Sequence, residues 1–488
     1  METTSSAPFW DWAVTIWPWV LGVMHAVVLT LASAHVILRK RNVRASIAWV
    51  GLIVLSPFVG AAAYFFFGVN RIQRRAARIT AGTGERRFTP QTDALSREVV
   101  ARSHGEPMAI LSTVVGNATR LPLLGGNQVE PLVDGDAAYP AMRAAIESAT
   151  RSVAFSSYIF DHDREGKRFV EVLEAAHKRG VEVRVLIDGV GARYSRPPIT
   201  TALRGAGIPT SVFIPPRIPL PNPYFNLRSH RKLLIVDGSV GFIGGMNIRE
   251  GCVLTEATAD LCQDVHFRVT GPVLDQLFAV LDHDWEFTTG ETLSGPAWAI
   301  EPGDHGPVAC RAVPDGPDET IDTLRRTLLG GLQSARRSVQ IVTPYFLPDD
   351  VLTAALDMAV MRGVTVDILI PRVNNLKVVR WASTAQLKHV VQPGCRVWRT
   401  APPFDHSKLM VVDDTWSLIG SANWDPRSLR LNFEINLECY DPELAGKIRR
   451  IIDKKLEDAE QVLPETLAAR PVLSRLRDGA ARLLSPYL

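Results

Sequence analysis

Two stretches of this chain carry side chains whose types and spacing suit chemistry. Ser229 to Gly238 reads Ser-His-Arg-Lys-Leu-Leu-Ile-Val-Asp-Gly, and Asp405 to Asp414 reads Asp-His-Ser-Lys-Leu-Met-Val-Val-Asp-Asp. Each sets His two residues before Lys and Lys five before Asp: His230, Lys232 and Asp237, then His406, Lys408 and Asp413. Four apolar residues separate Lys from Asp, which reads as a short buried strand. Alternate side chains of a strand share a face, so His and Lys point the same way. An imidazole that attacks or moves a proton, beside a fixed positive charge, suits reaction at an anionic phosphate. The residues after each motif repeat as well, with Gly244, Gly245 and Asn247 after the first and Gly420, Ser421 and Asn423 after the second. The chain has ten lysines and eleven histidines, so two full copies by chance are far rarer than one. One histidine cannot be nucleophile and leaving-group acid together, so the pair reads as two halves of one site.

The elements that must position these motifs also occur twice. Ala149-Thr-Arg-Ser-Val-Ala-Phe resembles Ala335-Arg-Arg-Ser-Val-Gln-Ile, each ending a helical pattern and entering a strand. Arg179-Gly-Val-Glu-Val-Arg-Val-Leu-Ile and Arg362-Gly-Val-Thr-Val-Asp-Ile-Leu-Ile share one pattern. A helix that ends at Gly180 or Gly363 and passes into an alternating strand accounts for it. Helix and strand alternate, so each half is expected to be α/β with a mixed or parallel sheet. Two such halves imply a pseudo-two-fold pair with the site between them.

Before the repeats come two uncharged stretches, Ile16 to Leu38 and Ala45 to Gly68, each long enough to cross a bilayer. They predict a hairpin of two transmembrane helices, at about 16–38 and 45–68. Trp10, Trp12, Trp17 and Trp19 read as an interfacial belt. Glu2, Asp11 and the length of the first span argue against a cleaved signal peptide. Both flanks of the second span are basic (Arg39, Lys40, Arg41 and Arg44; Arg71, Arg74, Arg75, Arg78, Arg86 and Arg87), so charge alone leaves orientation open. His25 and His35 inside the first span read as helix–helix hydrogen-bonding groups. The expected division is a membrane anchor over 1–78, a juxtamembrane linker over 79–128, α/β halves over 129–295 and 296–462, and an amphipathic tail over 463–488. That tail alternates Arg with Leu, Val and Ala, for packing on a membrane or on the body.

Composition excludes some functions. Lys plus Arg number 54 against 51 Asp plus Glu, a formal net charge of +3, which argues against a nucleic-acid-coating protein. Five scattered cysteines (Cys252, Cys262, Cys310, Cys395 and Cys439) give no Cys-x-x-Cys or His/Cys cluster for zinc and no disulfide framework.

The paired motifs resemble those of the phospholipase D superfamily. The hairpin ending Tyr64-Phe-Phe-Phe-Gly68 resembles the N-terminal anchor of bacterial cardiolipin synthases. So do Tyr158-Ile-Phe-Asp-His-Asp163, Asn226-Leu-Arg-Ser-His-Arg-Lys232, and Asn423-Trp-Asp-Pro-Arg-Ser428 with Asn432-Phe-Glu434. The resemblance runs from about residue 40 to the C-terminus. It implies an α/β fold of two phospholipase D-like α/β/α halves after a transmembrane helical hairpin. It also implies phosphatidyl transfer between two phosphatidylglycerols through a phosphohistidine, without metal or cofactor. In that chemistry one His attacks and the other protonates the leaving glycerol. The residues leave open which is which, and the resemblance favours His230 as nucleophile. Lys232, Lys408, Asn247 and Asn423 are expected to hold phosphoryl oxygens. Asp264 and Glu434, at matching places downstream of the motifs, are expected to accept a hydrogen bond from the histidines. By the resemblance Asp237 and Asp413 are structural partners more than chemical ones. His266 reads as a satisfied strand histidine rather than a site residue.

The expected setting is the bacterial inner membrane, multi-pass, with the catalytic region on the cytoplasmic face. The expected partners are phosphatidylglycerol and other membrane phospholipids, with no nucleic acid. Rival readings share the histidines: a membrane phospholipase D or a transphosphatidylase with another acceptor alcohol, a superfamily nuclease, and an inactive membrane scaffold. The membrane hairpin and the modest net charge count against the nuclease, since nucleic-acid binding usually shows a basic face, and the scaffold would tolerate loss of a motif residue that neither copy shows.

Overall fold

The computed structural model describes residues 7–40, 43–68, 94–215, 227–256, 260–301, 303–317 and 322–485. The chain forms two compact units, Met1–Arg74 and Arg75–Leu488.

In the first unit a helix over Ala7–Arg39 includes an apolar stretch, Val14–Arg39, of 26 residues, long enough to cross a membrane. The second expected span, about 45–68, is not one helix. Val43–Leu55 stops at Ser56, which leaves helical geometry at φ −151°, and Pro57–Ala63 restarts and ends in a wide turn, Tyr64–Gly68. Pro57 explains the break: proline lacks the N–H of a continuous helix and disfavours helical geometry in the residue before it. The segments pack through Val36, Ile53 and Tyr64, with His35 Nδ1 3.0 Å from the Tyr64 hydroxyl. His25 meets Phe58 edge to face. Leu31, Leu38, Ile47 and Leu55 face outward, an apolar surface suited to lipid. The basic run Arg71, Arg74, Arg75, Arg78, Arg86 and Arg87 lies outside the described residues, as does Arg41.

The second unit is built around one sheet. Its first half supplies β1 (Leu124–Val133), β2 (Ser152–Ser157), β3 (Glu182–Asp188), β4 (Thr210–Phe213), β5 (Arg228–Ser229), β6 (Leu233–Val236), β7 (Val240–Gly244), β8 (Cys262–Gln263) and β9 (Val265–Thr270). The second half supplies β10 (Val308–Asp315), β11 (Ser338–Val342), β12 (Thr365–Pro371), β13 (Arg396–Thr400), β14 (Phe404–Asp405), β15 (Leu409–Val412), β16 (Trp416–Gly420), β17 (Asn432–Tyr440) and β18 (Glu460–Val462). Outward from the antiparallel β1–β10 seam the first half runs β1-β9-β7-β6-β2-β3-β4, and the second β10-β17-β16-β15-β11-β12-β13, with β18 at the edge. The same order leaves the seam in both directions, which is the pseudo-two-fold relation of an α/β repeat. Parallel pairs β2–β3 and β11–β12 need crossovers, supplied by helices Arg164–Lys178 and Asp350–Met361. Those helices begin on capping Asp163 and Asp349. Gly180 and Gly363 follow them at φ +91° and +83°, a geometry that favours glycine.

The expected linker over 79–128 is folded from residue 94 onward. Helices Arg97–His104 and Glu106–Thr119 bury Val100, Met108, Leu111 and Val115 against Leu328 and Leu332. The boundary at 129 falls inside β1. Short helices among Gly, Ser and Thr read as loop because their apolar faces are only a turn or two long. The tail likewise forms helices Pro464–Ala468 and Val472–Leu483.

Candidate active site

β6 and β15 are the apolar runs of the two motifs, buried at every position, and each puts its His at one end and its Asp at the other. At the far end Asp237 accepts from the amides of Thr150, Arg151 and Ser152, each at 2.8 Å. Asp413 accepts from those of Arg336, Arg337 and Ser338 at 2.7–2.9 Å. The motif carboxylates therefore clamp the turns that start β2 and β11, away from the histidines.

At the near end the two halves interlock. β5, just before His230, pairs in parallel with Asn432–Phe433 of β17, and the His230 amide donates to Phe433 O at 2.9 Å. β14, just before His406, pairs in parallel with β8, and the His406 amide donates to Gln263 O at 2.8 Å. Each histidine thus hangs on backbone of the opposite half. Its side chain does the same: His230 Nδ1 lies 3.0 Å from Glu434 Oε2, and His406 Nδ1 lies 2.8 Å from Asp264 Oδ2. A carboxylate on Nδ1 fixes the tautomer and leaves Nε2 for the cavity.

That cavity measures about 1340 Å³, above the usual range for a drug-sized ligand. His230, His406, Asn247, Asn423 and Asp264 line it. Arg228, Arg249 and Arg427 add positive charge, and Leu347, Val373, Leu376, Val378 and Phe404 make an apolar side. Among the described lining residues neither motif lysine appears. Lys232 Nζ donates to His230 O at 2.6 Å and sits over the Tyr158 ring, and Lys408 donates to His406 O. The lysines stand directly behind the histidines, each with donors left over. The Asn247 amide oxygen accepts from Ile159 N at 3.1 Å, and Asn423 donates to Ser428 Oγ. His266 is buried on β9 and lies outside the lining residues, but its Nδ1 has no hydrogen-bond partner among the described residues, so it is not the satisfied histidine expected.

Burial dominates the electrostatics. It pushes His230 down to about 4 against the pull of Glu434, and Lys232 down to about 7. His406 is pushed well below its ordinary value by burial and then by the two lysines. The carboxylates differ. Burial pushes Asp264 up to about 6 despite Lys408. At Glu434 burial is outweighed by His230, Lys232 and the Ser421 hydroxyl, and the carboxyl stays below its usual value.

Sequence reasoning singled out no role for Tyr345. Its ring meets His406 edge-on at 6.4 Å, as Tyr158 meets His230 at 5.0 Å. The signal was present: Tyr345 follows the second repeat's strand as Tyr158 follows the first.

The family model described as cardiolipin synthase, PLD-like domain, matches residues 142–285 and 328–456, once in each half. A second model, phospholipase D-nuclease N-terminal, matches 27–68. The chain is similar to the cardiolipin synthase A of Pseudomonas putida (strain W619), 33% identical over 479 residues, or 96% of this chain and 98% of that one. It is similar to the cardiolipin synthase of Geobacillus sp. (strain WCH70), 29% identical over 456 residues, or 92% and 90%. Among solved structures, a phosphatidylserine synthase of Haemophilus influenzae Rd KW20 superposes with a TM-score of 0.61 at 15% identity, over 78% of this chain and 100% of that one. At that identity the likeness concerns the fold. Two phospholipase D-like halves around one pair of carboxylate-held histidines, with matches over nearly the whole length, place the chain in the cardiolipin synthase family of phospholipase D-like phosphatidyltransferases.

Proposed function

We propose that this protein joins two phosphatidylglycerol molecules into cardiolipin and releases glycerol. The observation that carries the reading is the pair of histidines, each held through Nδ1 by a carboxylate of the opposite half, lining one cavity. In the first step His230 Nε2 attacks phosphorus. The P–N bond forms as the bond to the headgroup glycerol breaks, and His406 gives its Nε2 proton to the departing oxygen. In the second step His406, now neutral, takes the proton of a headgroup hydroxyl on a second phosphatidylglycerol. That oxygen attacks phosphorus, the P–N bond breaks, and His230 is regenerated.

Burial disfavours every positive charge in this cluster, and an incoming phosphodiester anion favours it. Substrate binding therefore protonates His406 and keeps Lys232 and Lys408 charged while the phosphate is present. Asn247 and Asn423, from equivalent turns, supply amide donors to the phosphoryl oxygens, where charge concentrates in the transition state. Asp264 and Glu434 orient the rings. Asp237 and Asp413 act on the fold, through their turns. The N-terminal helices, Ala7–Arg39 and the broken segment after it, form a multi-pass anchor. The reading places the catalytic unit on the cytoplasmic face, which protease protection in sealed vesicles tests, since basic residues on both flanks of the second span give charge no preference.

The test is product analysis with purified protein, phosphatidylglycerol vesicles and chelator. Cardiolipin and glycerol in equal amounts are expected. Phosphatidic acid alone would make the protein a hydrolase, and cleavage of nucleic acid instead of lipid would overturn the reading. His230→Ala and His406→Ala should each lower turnover by about 10³-fold or more, with the double variant little worse, because the pair acts as a unit.

A further inference from the structure

Exposed apolar residues of the catalytic unit gather beside the cavity mouth. Val373, Leu376 and Val378 line the cavity and are exposed at its rim. The helix that continues from them, Lys377–Val391, is packed by the C-terminal helix Val472–Leu483. Ala481 turns inward against Leu347, Val379 and Ala382. On the other side Leu473, Leu476, Leu483 and Leu484 face outward, Leu473 and Leu483 at 80% exposure. Leu473, Leu476, Ala480 and Leu483 follow helical spacing, so the three leucines lie on one stripe. Scattered exposed leucines are ordinary, but a contiguous set next to a binding cavity marks an interaction surface.

Charge identifies what the surface meets. Residues 372–391 and 470–485 contain eight lysines and arginines and one carboxylate, Asp478, in a chain whose net charge is only +3. Asp478 is buried and paired with Arg470 and Arg477 at 2.6 and 2.7 Å. The exposed charge that these two segments contribute, including Lys377, Arg380, Arg475 and Arg482, is therefore all positive, while Asp350, Glu460 and Glu465 lie on neighbouring elements. A leucine stripe flanked by arginines is the composition of helices that lie in the headgroup layer of anionic membranes. A second copy of this chain would meet the face with the same positive charge. The cluster beneath the helix also includes Tyr345, the ring beside His406, so the surface is continuous with the site.

We propose that Val472–Leu484 and the rim residues Val373, Leu376 and Val378 form a membrane-docking face that lies in the interface of an anionic bilayer. Held there, the cavity receives a headgroup phosphate while the acyl chains stay beside the apolar rim. The proposal rests on the lipid-transfer reading of the cavity. It adds which surface touches the bilayer.

The test uses the full chain in proteoliposomes. Every variant keeps the N-terminal helix, so penetration depth is read instead of bound fraction. Leu473→Cys and Leu476→Cys are labelled with bimane, with Glu147→Cys, exposed on the helix Asp134–Ser148, as reference. The parent protein gives the background from its own cysteines. Doxyl groups on lipid acyl chains should quench labels at 473 and 476 several-fold more than at 147, and less when phosphatidylcholine replaces phosphatidylglycerol. Labels at 473 and 476 that behave as at 147 overturn the proposal. So does the same result accompanied by a dimer-to-monomer shift in the variant Leu473→Gln/Leu476→Gln/Leu483→Gln, which assigns the face to a second copy. That triple variant should lower kcat/KM on phosphatidylglycerol vesicles about 10-fold or more and leave turnover of water-soluble dihexanoyl phosphatidylglycerol unchanged. Equal loss on both substrates, or no loss on vesicles, also overturns the proposal. Quenching in a protein that forms no cardiolipin supports the docking face while removing the transfer reading. Cardiolipin formation without quenching does the reverse.

Discussion

Ser421 donates its hydroxyl to Glu434 Oε2 at 2.5 Å, while the equivalent residue beside Asp264 is Gly245. A Cβ at Gly245 would stand 2.7 and 2.9 Å from the Asp264 carboxylate oxygens and 2.9 Å from Lys408 Cδ, so a serine has no room there. Glu434 gains a donor that Asp264 lacks, which accounts for part of the difference between a carboxyl held low and one raised to about 6. Orientation of His406 requires ionised Asp264, so the activity that depends on it is present above pH 6 and falls as pH drops through about 6. Glu434, with its folded value depressed, supports His230 to lower pH. Ser421→Gly removes the donor that favours the Glu434 anion, so its folded value rises and the corresponding acid limb moves to higher pH. The Asp264 limb near pH 6 masks Glu434 in kcat/KM, so carboxylate infrared titration of the parent and the variant checks this. A Glu434 titration that stays in place in the variant would remove Ser421 from the account.

The elements place the histidines because each motif strand is fixed at both ends. At the turn end, Asp237 and Asp413 sit at φ +52° and +53° and satisfy three backbone amides each. Asp413→Ala leaves those amides without their acceptor, a loss of about 2–4 kcal/mol in stability at about 1 kcal/mol per donor or somewhat more. Thermal melting should show that loss while kcat of the folded fraction stays within a few-fold. Collapse of kcat at unchanged melting temperature would make Asp413 a catalytic residue. At the seam, Arg311 on β10 pairs with Glu438 on β17 at 2.9 Å and donates to Ser112 Oγ at 2.8 Å. Trp416 and Tyr440 donate to the same Glu438, each at 3.1 Å. Removing one partner of such a buried pair costs about 3–5 kcal/mol. The Ser112 bond ties the helix Glu106–Thr119 to this network, in addition to the apolar packing of Met108, Leu111 and Val115.

Over the whole molecule, neither half holds a complete histidine–carboxylate pair of its own. His230 depends on Glu434 and Phe433, and His406 depends on Asp264 and Gln263. Both halves belong to one chain and share one sheet, so His230→Ala and His406→Ala chains cannot repair each other. Mixing the two purified variants should restore no transfer. Recovery toward half of the parent rate would show that the site is assembled between chains.

The sequence by itself determined whatever is local and repeated. A glycine that ends a helix before an alternating strand is such a signal, so Arg179–Ile187 and Arg362–Ile370 announced two α/β halves, whereas the motif lysines turn back behind the histidines instead of lining the cavity beside them. The uncharged run from Ile16 announced the long apolar helix by length and composition. Pro57 was visible too, but only the structure showed that it divides the second apolar run into two shorter helices. Tertiary structure decided everything that depends on the seam. Spacing in sequence marks Asp264 and Glu434 as equivalent without saying which histidine each serves, because strand pairing across a pseudo-two-fold joins residues 142 and 204 positions apart. The burial that shifts the histidines and lysines is likewise a property of the folded site, since desolvation comes from neighbours that chain order does not reveal.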